Sequence, residues 1–189
     1  MTPVAPRGRE EVMAALVRAA GDLLSERGPS AVSVRDIAGA AGVNQALVFR
    51  HFGDKAGLVR AVLDELGGAM RDDPAAASLE ADAIAGLVQR HRRYLDVLTR
   101  VILDPESTEV EFPYPVMRQL VADASLDDVA AGRIVDAVAA VLGWVVFQPY
   151  VAAATGRPPA APEEVADRVA GLVGAITAPL RAAGGSREV

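Results

Sequence analysis

The chain has no cysteine among its 189 residues. Disulfides and thiolate chemistry are therefore excluded, and nothing in the composition points to an oxidising compartment. Only two histidines are present, His51 and His91, and neither sits in a triad or zinc-ligand spacing. A glycine-rich phosphate loop is also missing. An enzyme would find no cysteine nucleophile, metal-ligand cluster or phosphate cradle here, so neither a catalytic residue nor a cofactor is expected. Long apolar runs are scarce: the longest, Ala137 to Phe147, lies between Asp136 and Gln148. It falls well short of the ~20 residues that span a bilayer. It reads as a buried helix, and no membrane partner is expected. The opening MTPVAPRGREEVM has no apolar stretch after its arginines, so no secretory signal is expected and a cytoplasmic location follows by default.

What is present fits a globular protein. Hydrophobic residues make up 51% and charged residues 23%, which argues against disorder and allows a real core. The length suits one ordinary domain, or a small domain joined to a larger one. The formal charge of −6 looks unfavourable for a partner made of phosphates, but the charge is unevenly placed. Residues 1–57 hold seven basic against six acidic side chains, and the remainder holds 12 against 19. A near-neutral head with clustered bases precedes an acidic body. Lys55 is the single lysine; the other basic residues are arginines.

Read in order, residues 1–8 form an arm expected to be disordered. Arg7 and Arg9 could follow a phosphate backbone or enter a minor groove. From Arg9 to Arg27, Val12, Leu16, Ala19, Ala20 and Leu23 share one face of an amphipathic helix, which Gly28-Pro29 stops. Ser33 is placed to cap a second helix, with Asp36 as its acidic partner three residues on. Within SVRDIAGAAGVNQALVFRHFGDK, the apolar face of Val34, Ile37, Ala38 and Ala41 is broken by Gly42 and resumes at Val43, Leu47 and Val48. Two short helices meeting at a tight corner are expected, with Ala38 allowing a close crossing, Gly42 in the left-handed conformation and Asn44 capping the helix that follows. Asp54 can cap a fourth helix carrying Leu58, Val62 and Leu66 as far as Gly67-Gly68. Lys55, in its first turn, opposes the helix dipole but suits an anion held there.

The rest reads as helical. Leu79 to Leu103 carries Leu87, His91, Tyr94, Leu95, Leu98 and Ile102 on one stripe. An acidic, proline-bearing loop follows over Glu106 to Pro115, then a short helix over Val116 to Ala124. A long helix over Leu126 to Thr155 has Pro149 as its expected kink. The last helix, Glu163 to Ala183, is expected to turn Val165, Val169, Leu172, Val173, Ile176 and Leu180 inward. No strand pattern of useful length appears, so the fold class is all-α: a three-helix head over 1–53 and a helical body over 54–189.

The stretch DIAGAAGVNQALVFRHFGDKAGL closely resembles the N-terminal signature of the tetracycline-repressor (TetR) family of transcriptional regulators, through Asp36-Ile37-Ala38, Ala41-Gly42-Val43, Phe49, His51-Phe52, Lys55 and Leu58. The resemblance covers residues 9–66. It implies a homodimer whose two recognition helices enter successive major grooves of a palindromic operator, and a body that binds a small ligand which releases the DNA. It assigns Arg35 and Gln45 to base edges, where a guanidinium suits guanine and an amide suits adenine. Ala46 and Leu47 match neighbouring readers able only to make apolar contacts. Ser33, His51 and Lys55 match phosphate-contacting positions. Asn44 and Arg50 complete the candidate surface. At Phe49 the family usually has tyrosine, so one phosphate contact per subunit is missing.

Candidate effector-lining residues in the body are His91, Tyr94, Phe112, Tyr114, Met117, Trp144, Phe147, Gln148 and Tyr150, because cavities between bundle helices are mostly apolar with a few polar groups. Arg90, Arg92 and Arg93 beside His91 either hold an acidic ligand or face solvent. The last two long helices carry more apolar surface than one small body needs, and pairing with a second copy would bury it. The expected function is a ligand-responsive repressor, released by a small, largely apolar molecule. The alternative is a ligand-binding or scaffolding protein of the same fold that has lost DNA binding.

Overall fold

The computed structural model describes residues 8–77, 81–104, 128–158 and 160–184. These form eight α-helices and one 3-10 turn, with no strand among the described residues. The helices are α1 (Arg9–Arg27), α2 (Val34–Ala41), α3 (Ala46–Phe52), α4 (Lys55–Arg71), α5 (Ala81–Arg90), α6 (Arg92–Leu103), α7 (Asp128–Thr155) and α8 (Pro162–Gly184); Pro74–Ala77 is the 3-10 turn. The arm before Gly8, the loop and short helix expected over residues 106–124, and the candidates Phe112, Tyr114 and Met117 lie outside the described residues.

Contacts group the chain into two compact units. One takes its described residues from Met1–Gly68 and Asp96–Pro113, the other from Ala69–Leu95 and Tyr114–Val189. In the first unit, α1 packs on α2 and α3. Four of the five residues of its expected stripe, Val12, Leu16, Ala19 and Ala20, are in the core, joined by Val17 and Leu24, whereas Leu23 is only half-buried. Ile37, Ala38 and Val48 complete the contact from the other two helices. Gly28 ends α1 at φ 78 and donates its N–H to Leu24 O.

The fourth helix does not stop at Gly67-Gly68. Each glycine costs about 1 kcal/mol relative to alanine in a helix interior, but Leu63 and Met70 on either side are buried, and that anchoring carries the helix on to Arg71.

In the second unit, α8 packs on α5 and α7. The single helix expected over Leu79 to Leu103 is instead two, interrupted at His91. Asp73, between α4 and the 3-10 turn, meets the chain at this interruption. Its carboxylate accepts from Arg90 Nε (2.8 Å) and Nη2 (3.1 Å), from the Ala75 N–H (2.9 Å), and pairs with His91 Nε2 at 2.9 Å. Two successive side chains thus meet one carboxylate, while His91 N still reaches Leu87 O at 3.0 Å and Leu95 N reaches His91 O at 3.3 Å.

The Arg90 guanidinium foremost, then the Ala75 N–H and His91, hold the Asp73 carboxyl well below the usual carboxylate range. A carboxyl with a lowered folded-state pKa stabilises the fold fully above its unfolded value, and that contribution is lost as the pH falls from about 4 towards the lowered value. Asp73→Asn is therefore expected to lower the urea midpoint at pH 7 and to flatten the loss of stability between pH 5 and pH 2. Urea titrations at several pH values measure both.

The expected inward stripe of α8 is partly corrected. Val169 and Val173 are buried and Ile176 is half-buried, but Leu172 faces solvent. The side chains of Val165 and Leu180 are outside the described set. Helix α7 is one continuous element through Pro149.

Candidate functional site

The corner between α2 and α3 is fixed by local capping. Ser33 Oγ accepts from the Asp36 N–H at 3.1 Å, and the Asp36 carboxylate accepts from the Ser33 N–H at 2.9 Å, a reciprocal capping box. The Ser33 hydroxyl, and then its N–H, draw the Asp36 carboxyl below its ordinary pKa. Gly42 sits at φ 67, and the Val43 N–H closes back on Ala38 O at 3.0 Å. Only a residue without a Cβ takes that conformation at no steric cost. Asn44 Oδ1 then accepts from the Ala46 N–H at 2.8 Å and starts α3.

With Val48 fully buried against the head's core, the opposite side of α3 is turned out. Gln45, Ala46, Phe49 and Arg50 are exposed, as are Arg35 on α2 and Ser33 and Asn44 at the two caps. Leu47 and His51 are half-buried at its margins. Gln45, Ala46, Phe49 and Arg50 thus share the exposed side of α3. Phe49 is 53% exposed, so its ring lies on that surface instead of in the core.

Lys55 has a partner that its sequence position does not reveal: Nζ donates to Pro29 O at 2.6 Å. An ammonium has three donors, so the one tied to the α1–α2 loop leaves others able to meet an anion. Asp54 caps α4 as expected, accepting from the Gly57 N–H at 2.7 Å. A further pairing was not legible in the sequence at all. Asp104, just past α6, accepts from the Ser30 N–H at 2.7 Å and from the Ser30 hydroxyl. The α1–α2 loop is therefore held both by the start of α4 and by the end of α6.

In the second unit a cleft of about 560 Å³ lies between the C-terminal part of α7 and the start of α8. Two of the candidate effector residues line it, Trp144 and Gln148. Phe147 and Tyr150 do not: they are 61% and 72% exposed on another side of α7. Tyr94 is buried, and His91 is engaged with Asp73 together with Arg90. The sequence singled out neither Arg168, whose guanidinium stands 5.9 Å from the Trp144 ring centroid and pairs with Glu164, nor Arg157 in the turn.

Residues 16–62 match the family described as bacterial regulatory proteins, tetR family. An HTH-type transcriptional repressor of Mycobacterium tuberculosis is 41% identical over 158 residues, which cover 80% of this chain and 81% of the relative. The chain belongs to the TetR family of transcriptional regulators. A second family relative, the HTH-type transcriptional regulator TtgR of Pseudomonas putida, is 32% identical over 101 residues, 53% of this chain and 48% of that one. Among solved structures, a TetR-family regulator from Rhodococcus sp. superposes with a TM-score of 0.61 at 18% identity, over 88% of this chain and 98% of that one. One from Streptomyces coelicolor gives 0.56 at 22%, over 92% and 83%. Those two likenesses concern the fold. Family membership makes the chain a DNA-binding transcriptional regulator, and the α2–α3 corner is the TetR helix-turn-helix.

Proposed function

We propose that the chain is a ligand-responsive repressor that acts in the cytoplasm, binds a palindromic operator as a homodimer and is released by a small, largely apolar molecule. In this reading residues 1–53 are the DNA-binding head and residues 54–189 the effector-binding and dimerising body. The observation that carries it is the outward face of α3, where Gln45, Ala46, Phe49 and Arg50 are exposed together on a helix whose start is fixed by caps. Gln45 and Arg35 are the polar readers, Ala46 and Leu47 the apolar ones, and Ser33, His51 and Lys55 the groups that set register on the phosphates.

Dimerisation has its own support. The stretch Ala131–Gln148 of α7 is long and apolar enough to cross a membrane by length and composition, yet only 12% of it is buried within the subunit. It includes Arg133, which donates from Nη1 to Ile176 O at 3.0 Å, and Asp136. A helix so apolar and so little covered suits a two-fold contact with a second copy. Two copies paired there would present recognition helices to half-sites ~34–36 Å apart, one turn of DNA. An effector preferring a wider spacing would shift the population away from DNA by its difference in affinity for the two forms.

A gel shift with the DNA flanking the protein's own gene tests the reading; if no palindrome there is retarded at low salt, it fails. Retention of an effector without any retardation would instead favour the scaffold alternative, to which the hydroxyl-free Phe49 lends weight.

The division of roles makes a sharper prediction. Gln45→Ala is expected to change which operator is preferred, by ~1–3 kcal/mol for a base contact. Lys55→Ala should weaken all sequences alike and lower the salt slope by about one. It should also lower thermal stability, because it removes the bond to Pro29 O. Salt-dependent titrations of both variants against two operator sequences separate these effects.

A further inference from the structure

The α7–α8 cleft has a charge and shape that select a ligand class. One wall is apolar, made by the Trp144 indole with Ala152 and Pro158. Its rim carries two guanidinium groups, Arg157 and Arg168, against one carboxylate, Glu164. Among the described lining residues the rim is thus cationic by one charge, and it lies at the start of the 23-residue helix α8, where free N–H groups and the helix dipole add positive potential. Local chemistry fixes Arg157 there. Gly156 turns the chain at φ 65, its N–H bonding Ala153 O at 3.3 Å while the Arg157 N–H bonds Ala152 O at 3.1 Å. This double closure ends α7 and sets the arginine's backbone.

Arg168 reaches the Trp144 ring from α8 and pairs with Glu164 one turn earlier. That pair is solvent-accessible, and exposed ion pairs are worth little, so a ligand anion can replace Glu164 on the guanidinium at small cost. The Thr155 hydroxyl hydrogen is already directed to Val151 O at 2.8 Å, which leaves Gln148 as the polar group free to meet a ring substituent. Along α7, Gln148 and Ala152 lie on the far side of the helix from the exposed Val135 and Tyr150, with Phe147 at the margin between the two sides, so subunit pairing centred on Val135 and Tyr150 leaves the Gln148 and Ala152 wall open.

We propose that this cleft binds a small aromatic carboxylic acid, its ring against Trp144 and its carboxylate between Arg168 and Arg157. The volume falls within the range of small-molecule sites, and the pairing of a planar ring with an indole and of a carboxylate with a guanidinium fork uses the strongest groups the cleft has. The proposal rests on the ligand-responsive reading above and gives its effector a chemical class.

Trp144 is the only tryptophan, so its emission reports on the cleft directly. The intact protein is titrated with benzoate, phenylacetate and 4-hydroxybenzoate, and with the matching neutral amides, each followed by emission excited at 295 nm and by calorimetry. The acids are expected to bind saturably and at least about tenfold more tightly than the amides, since a charge-assisted bond is at stake. Arg168→Gln is expected to abolish that preference. The absence of saturable acid binding by either readout at millimolar concentration would overturn the proposal, as would equal binding of the amides or an undiminished preference in Arg168→Gln. Anisotropy of a labelled operator separates the two levels. Acids that bind the cleft but leave the DNA bound would keep the site and sink the release reading. Release by neutral apolar molecules with no acid binding would keep that reading and overturn the site.

Discussion

Gly57→Ala is expected to lower the melting temperature by roughly 5–10 °C and to weaken DNA binding by more than about tenfold, from a destabilisation of about 2–3 kcal/mol. The chain reverses between α3 and α4 in very few residues: Phe52 ends α3, Gly53 turns at φ 81, Asp54 caps, and Gly57 lies in the first turn of α4. This reversal lays the Phe52 carbonyl against the Gly57 backbone so closely that a Cβ at Gly57 would lie 2.0 Å from Phe52 O. The obstacle is backbone and cannot rotate away. Alanine is ordinarily favoured over glycine in a helix by about 1 kcal/mol, so the substitution has a gain on one side and a clash on the other. Relieving an overlap of more than 1 Å requires either that the end of α3 shift or that the first turn of α4 open and lose its Asp54 cap. Both routes outweigh the gain, and the first displaces the helix that carries Gln45, Ala46, Phe49 and Arg50. Thermal denaturation followed by circular dichroism, with an operator titration at a temperature where the variant is folded, measures the two effects. A melting temperature at or above that of the parent would show that the corner relaxes at no cost.

The head was legible because its punctuation is local. Ser33 with Asp36, Gly42, Asn44 and Asp54 each act within three or four residues, and each does in the structure what its residue type allows. The stripe of α1 was legible for the same reason: a 3.6-residue period repeated over 19 residues leaves one face to bury. Distant pairings hid from the sequence. His91 meets Asp73, 18 residues earlier; Lys55 finds Pro29 O 26 residues back; Ser30 meets Asp104 across 74. Periodicity also fails where a helix is apolar all round. Along α7 it could not say which of Trp144, Phe147, Gln148 and Tyr150 faces α8, and the structure divides them between the cleft and the exposed side. The charged rim of that cleft was missed because Arg157 and Arg168 flank a proline-rich turn and read as ordinary surface.

The exposed side of α7 carries the other large effect, because the proposed two-fold contact makes a single charge count twice. Val135, Phe147 and Tyr150 lie on it, at 50%, 61% and 72% exposure, with Ala139 between them and Gly132 on the same side. Small residues there let a partner helix approach closely, while the aromatic rings supply the area to be buried. In an isologous interface each subunit meets the same patch of its mate, so Phe147→Glu would place two carboxylates in one apolar contact. An unpaired charge buried in this way costs on the order of 3–5 kcal/mol, about a thousandfold in the dimer constant. The variant is therefore expected to sediment as a monomer at micromolar concentration. It should keep its helical circular dichroism, since Phe147 supports little of the subunit's own core. Its affinity for a palindrome is expected to fall by more than about a hundredfold, because a lone head holds one half-site without the gain from linking two. Phe147→Leu keeps the contact apolar and is expected to remain dimeric. A Phe147→Glu protein that sediments as a stable dimer would place the subunit contact on some other surface, and with it the geometry by which two α3 helices meet DNA.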